Sequence, residues 1–290
     1  MSDHKRDIDA VTGVETTGHE WDGIKELNKP LPRWWLLTFY VSIIWAIGYW
    51  IAYPAWPTMT GYTKGVLGYS QRATVAADVA AGRAAQAGLL AKVAATPLAD
   101  IAKDPELQRF AVAGGAASFQ TNCAPCHGRG AQGQVGYPNL NDDDWIWGGK
   151  IGDIEQTILY GIRSGHKKGR ESQMPRFGLD NLLQPEQIAD TAEYVLSLSG
   201  KSTDKASADK GAVTFKEQCA TCHGDDGKGK IEQGAPNLTD SIWLYGGTKA
   251  AIVESIRTGR GGQMPAWVDR LDPATVKSLA VYVHGLGGGR

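Results

Sequence analysis

The chain has 290 residues, a formal net charge of -1 and a 42% hydrophobic content. That balance excludes a wholly disordered chain and gives no electrostatic reason to bind nucleic acid. Four cysteines in this length exclude a small disulfide scaffold, and 37 glycines without a G-x-y period exclude collagen. Length alone suggests about two domains.

Residues 1–33 form a mostly polar arm. Residues 34–53, WWLLTFYVSIIWAIGYWIAY, carry no charge, and only Thr38, Ser42 and Gly48 are neither apolar nor aromatic. A helix of that length spans roughly 30 Å, the hydrocarbon core of a bilayer. Five of the ten tryptophans fall between Trp34 and Trp56, at both ends of this stretch as well as inside it. Aromatic residues at both ends form the belts expected at the two interfaces. Pro54 and Pro57 end the helix. A cleaved signal peptide is excluded by the long polar arm before the apolar run and by the lack of an A-x-A site after it. Lys25, Lys29 and Arg33 lie close before the span, whereas only Lys64 lies close after it. The positive-inside rule then predicts a cytoplasmic N-terminus and an external C-terminal part.

Residues 54–106 read as a connector. Pro57, Gly61, Gly65 and Gly68 break structure early, and the Ala-rich run from Gln71 to Ala95 permits a helix. The remainder holds an internal repeat. Gly115-Ala-Ala-Ser-Phe-Gln-Thr-Asn-Cys123 matches Gly211-Ala-Val-Thr-Phe-Lys-Glu-Gln-Cys219 at an offset of 96. Pro138-Asn-Leu140 and Trp145 match Pro236-Asn-Leu238 and Trp243 at 98. Ile162-Arg-Ser-Gly165 matches Ile256-Arg-Thr-Gly259 at 94, Gln173-Met-Pro175 matches Gln263-Met-Pro265 at 90, and Tyr194-Val195 matches Tyr282-Val283 at 88. Two copies of one small domain are expected, at 107–200 and 209–290, joined by a polar linker at 201–208. Periodicity predicts helices at 114–122, 152–162 and Pro185–Leu198, repeated at 249–257 and 273–284. Ile188, Ala192, Val195 and Leu196 share one face. The glycine-rich loops between them need something large to fill the middle.

Cys123-Ala-Pro-Cys126-His127 and Cys219-Ala-Thr-Cys222-His223 are both C-x-x-C-H, the attachment signature of c-type heme. Two thiols at this spacing can form thioethers to the two vinyl groups of one porphyrin, and the adjacent histidine becomes the proximal iron ligand. A zinc ribbon needs its CxxC halves much closer than 96 residues, and a thioredoxin-type site needs a βαβ context. The sixth ligands are expected from Met174 and Met264, in matched Gln-Met-Pro triplets; Met1 and Met59 lack that context. Spacing favours ligation within each copy, but interchangeable triplets leave an exchange open. A piece spanning 201–290 that lost its Met–iron absorbance would indicate exchange.

Around each heme, Pro138 and Pro236 could accept the proximal imidazole N–H, or be ordinary turn prolines. Trp145 and Trp243 could pack in the pockets and donate to a propionate. His166 aligns with Arg260 and reads as a loop histidine. His4, His19 and His284 carry no motif. Asp142-Asp143-Asp144 and Asp225-Asp226 read as solvated loop acids. The fold class is all-α: one transmembrane helix followed by two tandem class I cytochrome c domains.

The chain resembles the membrane-anchored diheme subunit of cbb3-type cytochrome c oxidase, the FixP/CcoP family. The residues that carry the resemblance are His19-Glu-Trp-Asp-Gly-Ile-Lys-Glu-Leu27, Pro30-Leu-Pro-Arg-Trp-Trp35, Tyr49 to Pro57, Asn139-Leu-Asn-Asp-Asp-Asp-Trp145 and Gly234-Ala-Pro-Asn-Leu-Thr-Asp240. It implies His127, Met174, His223 and Met264 as axial ligands of two covalent hemes. It also implies a bacterial inner-membrane complex with a catalytic heme–copper subunit, a monoheme subunit and a cytochrome c donor. This chain would then be the electron-transfer part of an oxidoreductase, without the oxygen-reducing site. A diheme peroxidase and a cytochrome subunit of a periplasmic dehydrogenase are the alternatives.

Overall fold

The computed structural model describes residues 7–287, so Met1 and His4 lie outside the described residues. The chain divides into two units, one ending at Ala84 and one beginning at Ala85.

The first unit opens with an antiparallel hairpin, β1 (Thr16–Trp21) and β2 (Ile24–Leu27). Asp22 and Gly23 between the strands both have positive φ, 49° and 84°. That is the type I′ turn that the Asp-Gly pair favours. Helix α1 (Arg33–Ala52) follows, with no buried residue. Among the described residues it is the one helix long and apolar enough to cross a membrane, with a mean hydropathy of 1.6. Its terminal carbonyls are not left bare: Val66 and Leu67 donate backbone N–H groups to Ile51 and Ala52 at 2.9 and 3.1 Å. A two-residue ladder, β3 (Pro57–Thr58) with β4 (Gly61–Tyr62), carries the chain to that point. Trp50 packs edge-on to Trp56, and Tyr53 to Tyr69, forming an aromatic collar at this end. The connector therefore contains a small ordered hairpin. Helix α2 (Gln71–Ala95) then matches the predicted run.

The second unit holds α3 (Leu98–Ile101), α4 (Pro105–Asn122), α5 (Ala124–His127), α6 (Ile151–Tyr160), α7 (Pro185–Leu198), α8 (Lys205–Gln218), α9 (Ala220–His223), α10 (Lys249–Thr258) and α11 (Pro273–Gly287). Asp104 caps α4 through its side chain, which accepts from the Glu106 and Leu107 N–H groups, so this helix begins nine residues before the predicted 114. Pro185 occupies the first turn of α7, as its fixed φ allows. Helix α8 is capped by Asp204 and starts at Lys205, which leaves residues 199–204 as the junction instead of 201–208.

The two sequence copies are not the two packing units. Helix α4 of the first copy packs on α11 of the second, and α8 of the second on α7 of the first. Each N-terminal helix brings a glycine to the crossing. A Cβ on Gly115 would run into the Ser278 carbonyl, and one on Gly211 into the Asp190 carbonyl. Beside each glycine sits an aromatic pair, Phe119 with Tyr282 at 5.5 Å and Phe215 with Tyr194 at 5.0 Å. Lobe one is therefore α4, α5, α6 and α11, around Phe119, Ile154, Ile158, Val276, Leu279 and Val283. Lobe two is α7, α8, α9 and α10, around Phe177, Ile188, Val195, Phe215, Ile252 and Ile256. The chain crosses between lobes after α6 and again after α10.

One sequence match changes with the structure. Helices α6 and α10 correspond at an offset of 98, and both end on a glycine, Gly161 and Gly259. Ile256-Arg-Thr-Gly259 thus corresponds to residues 158–161, not to Ile162-Arg-Ser-Gly165. The offset falls to 90 by Arg170, the structural counterpart of Arg260. Arg170 bonds Thr157 and lies over Trp147; Arg260 bonds Ser255 and lies over Tyr245. Residues 162–169 are therefore an eight-residue insertion in the first copy. His166 belongs to that insertion, stacked on Tyr160 at 4.9 Å, and has no partner position in the second copy.

Candidate functional site

Each C-x-x-C-H is built on the end of a helix with one buried face. The Cys123 N–H donates to Phe119 at 2.9 Å and the Cys219 N–H to Phe215 at 2.8 Å, so the core aromatics set where the first thiol sits. The one-turn helices α5 and α9 then carry Cys126, His127, Cys222 and His223. No disulfide joins these four cysteines. Burial, then the neighbouring cysteine, pushes the Cys123 and Cys219 thiols up to about 11.

His127 Nδ1 lies 3.1 Å from the Pro138 carbonyl, and His223 Nδ1 lies 3.1 Å from the Pro236 carbonyl. A carbonyl can only accept, so Nδ1 carries the proton and Nε2 keeps its lone pair for a metal. Burial lowers both imidazole pKa values, opposed by these bonds. Burial favours the neutral ring, and the carbonyl bond fixes its orientation.

Each lobe receives a methionine from the other copy. Met264, like Cys123 and Ala124, packs against the lobe-one core, and Met174 packs against the lobe-two core that contains Cys219 and Ala220. The crossing is pinned by backbone. Met264 and Ile162 exchange two N–H···O bonds at 3.0 Å. The Val268 N–H reaches Leu159 at 3.0 Å in lobe one, and the Gly178 N–H reaches Arg257 at 3.1 Å in lobe two. Gly161 and Gly259 have φ of 71° and 61°. A Cβ there would collide with the Met264 and Met174 carbonyls respectively. Only glycine combines that φ with that approach.

Comparison with known proteins decides the family. Residues 13–60 match the N-terminal domain of cytochrome oxidase-cbb3, FixP; residues 112–199 match cytochrome c; residues 206–283 match cytochrome c oxidase, cbb3-type, subunit III. The chain is 57% identical to the cbb3-type cytochrome c oxidase subunit FixP of a Bradyrhizobium species over the whole length of both proteins. It is 53% identical to subunit CcoP of Azospirillum brasilense over 99% of each chain, and 54% to that of Cereibacter sphaeroides over 94% and 95%. The chain belongs to the FixP/CcoP family of cbb3-type oxidase subunits.

As a member of the FixP/CcoP family it is a membrane-anchored diheme c-type cytochrome. It is the electron-transfer component of an oxidoreductase complex made with other oxidase subunits. The residues present fit two hemes on an independent observation. Trp145 Nε1 and Trp243 Nε1 are buried without any protein partner, at equivalent positions. Each rests against its lobe's core. A buried N–H normally finds an acceptor, and a heme propionate supplies one that the protein does not.

Some features of the site escaped the sequence reading. Asp144 is half-buried, and its carboxyl is pushed up to about 6 by burial and then by Asp240 of the other copy. It is not a solvated loop acid. The eight-residue insertion was hidden by the chance recurrence of Ile-Arg-Ser/Thr-Gly. A comparison of helix-ending glycines rather than of tetrapeptides exposes it.

Proposed function

We propose that the two iron sites are crossed between the sequence copies. Cys123 and Cys126 attach one heme, with His127 and Met264 as axial ligands; Cys219 and Cys222 attach the other, with His223 and Met174. The observation that carries this is that each methionine, partly buried, packs against the core of the lobe holding the other copy's C-x-x-C-H. Bound there, heme c supplies a one-electron iron couple, at a potential raised by methionine. The chain's part is to hold and shield it. The Pro138 and Pro236 carbonyls fix the proximal rings, Trp145 and Trp243 donate N–H groups to the propionates, and the crossed loops hold the thioethers in place. With two protein ligands per iron no position stays open for substrate, which supports a carrier and not a peroxidase.

The charge asymmetry of Lys25, Lys29 and Arg33 against Lys64 supports a cytoplasmic N-terminus, with the lobes on the periplasmic side of the bacterial inner membrane. Thioether attachment outside the cytoplasm agrees with that orientation. The partners are then a heme–copper catalytic subunit and a monoheme subunit, with a cytochrome c as electron donor. Spheroplast proteolysis that removed the N-terminal arm and spared the lobes would reverse this topology.

The ligand assignment is tested in the full chain with one attachment motif removed, Cys123→Ala with Cys126→Ala. In that single-heme protein Met174→Ala abolishes the Met–iron absorbance band and Met264→Ala leaves it. The opposite result assigns each methionine to its own copy.

A further inference from the structure

Between the lobes one side chain bonds both methionine loops. Arg163 Nε donates to the Gly262 carbonyl at 2.6 Å, and its Nη1 donates to the Ser172 carbonyl at 2.6 Å. Gly262 lies two residues before Met264, and Ser172 lies two residues before Met174. Arg163 sits in the insertion at residues 162–169, so no counterpart exists in the second copy. Its own backbone is held in the left-handed region, φ 48°, which costs a non-glycine residue energy that the surroundings must supply. The neighbours do so. The Ile162 bridge to Met264 precedes it, its own N–H donates to the Arg170 carbonyl at 2.9 Å, and the Ser164 hydroxyl donates to the Tyr160 carbonyl. The guanidinium is partly buried. Its planar fork suits two acceptors at once, which a single ammonium does not match.

We infer that Arg163 is a positioning residue that clamps the two methionine loops to one another, so that the two heme sites are energetically coupled through it. The inference rests on the crossed ligation proposed above. If Met264 leaves its iron and its loop shifts, the Gly262 acceptor is lost. The guanidinium then holds Ser172 less firmly, and Met174 dissociates more readily. The coupling is reciprocal, because any linkage between two binding equilibria is.

The experiment uses the purified, fully hemylated chain in detergent. Imidazole serves as the probe because it displaces methionine from ferric iron. In the unaltered protein the second displacement should be favoured by the first, giving a Hill coefficient above one. Arg163→Gln removes the charge-assisted bonds. It should tighten apparent imidazole binding at both hemes by about tenfold and bring the titration to independent sites. Arg163→Lys keeps the charge but not the fork. It should leave the binding non-cooperative, which separates a clamp from a simple field effect and supplies a second variant should the Gln protein fail to retain heme.

Three outcomes overturn the inference: independent sites in the unaltered protein, a change at one heme alone in Arg163→Gln, or full restoration by Lys. Failure of the ligation reading is distinct. It shows in the single-heme chain, as loss of the Met–iron band in Met264→Ala and its retention in Met174→Ala, whatever Arg163 does.

Discussion

Lobe one and lobe two are the same scaffold solved twice, and one buried position separates them by charge. In lobe two, Glu193 of α7 is 2% exposed and accepts from Lys249 of α10 at 2.9 Å and from Ser202 at 3.0 Å. The equivalent pair in lobe one is Val281 of α11 and Ile151 of α6. These pack in a third cluster with Leu89, Leu90 and Val93 from the end of α2, Ile101 of α3, and Leu107 and Ala111 of α4. An apolar pair works where another layer covers it. An ion pair works where Lys249 remains 46% exposed and keeps part of its hydration. The connector is thus more than a tether: its last turns are what let lobe one be apolar here.

The largest expected effects are those the lobes share. Phe119 and Phe215 are both at most 2% exposed in equivalent places. Phe119→Ala and Phe215→Ala should each destabilise by about 3–5 kcal/mol in denaturant titration. Widely different costs would break the equivalence of the two cores. Gly161→Ala and Gly259→Ala come next, at about 1–3 kcal/mol each from the positive φ together with the blocked approach to the methionine carbonyls. Each should weaken the Met–iron band of one heme, His127's for Gly161 and His223's for Gly259.

The asymmetric predictions follow. Lys249→Met strands Glu193 in lobe two and should cost about 2 kcal/mol at neutral pH, below the full buried-pair value because the lysine is half in water. Lys249 holds the Glu193 carboxyl below its ordinary range. That contribution is present above the ordinary glutamate pKa and is lost as pH falls through the lowered one, so the penalty should shrink in acid. A pH-independent penalty would mean that Lys249 acts by packing alone.

Asp144→Asn has the smallest effect and the opposite sign. A carboxyl raised to about 6 is protonated in the fold where the unfolded chain is ionised, so stability falls as pH rises from about 4 to 6. Its neutral replacement should gain about 1 kcal/mol above that window, after allowing for partial solvent screening, and nothing below it. Thermal unfolding on both sides of the window checks this. Asp240→Asn should lower the Asp144 pKa, since Asp240 has the largest effect among the charges that raise it.

Much of the site is local and could be read directly. C-x-x-C-H needs only one turn of helix, and the repeat of Gly-x-x-x-Phe before each cysteine already places an aromatic at the core. The hairpin before the anchor was legible too, in Asp22-Gly23, but was passed over because the arm looked merely polar. Asp144 was not legible, because part of what raises its carboxyl is the charge of Asp240, almost a hundred positions away.

By itself the sequence determined what chemistry is present: an apolar span of bilayer length, two heme attachments and two candidate methionines. These rest on short-range spacing, which the covalent chain enforces. It could not determine which methionine serves which heme. Both copies offer the same helix crossing, a glycine against a carbonyl and a phenylalanine against a tyrosine, so own-copy and exchanged pairings have nearly equal local interactions. What the tertiary structure decided, through chain geometry, is which lobe each methionine enters. Only residues 199–204 separate α7 from α8, and a connection that short makes the two helices antiparallel neighbours. Once α7 is committed to α8, α4 is left for α11, and each methionine loop is carried to the other copy's heme motif.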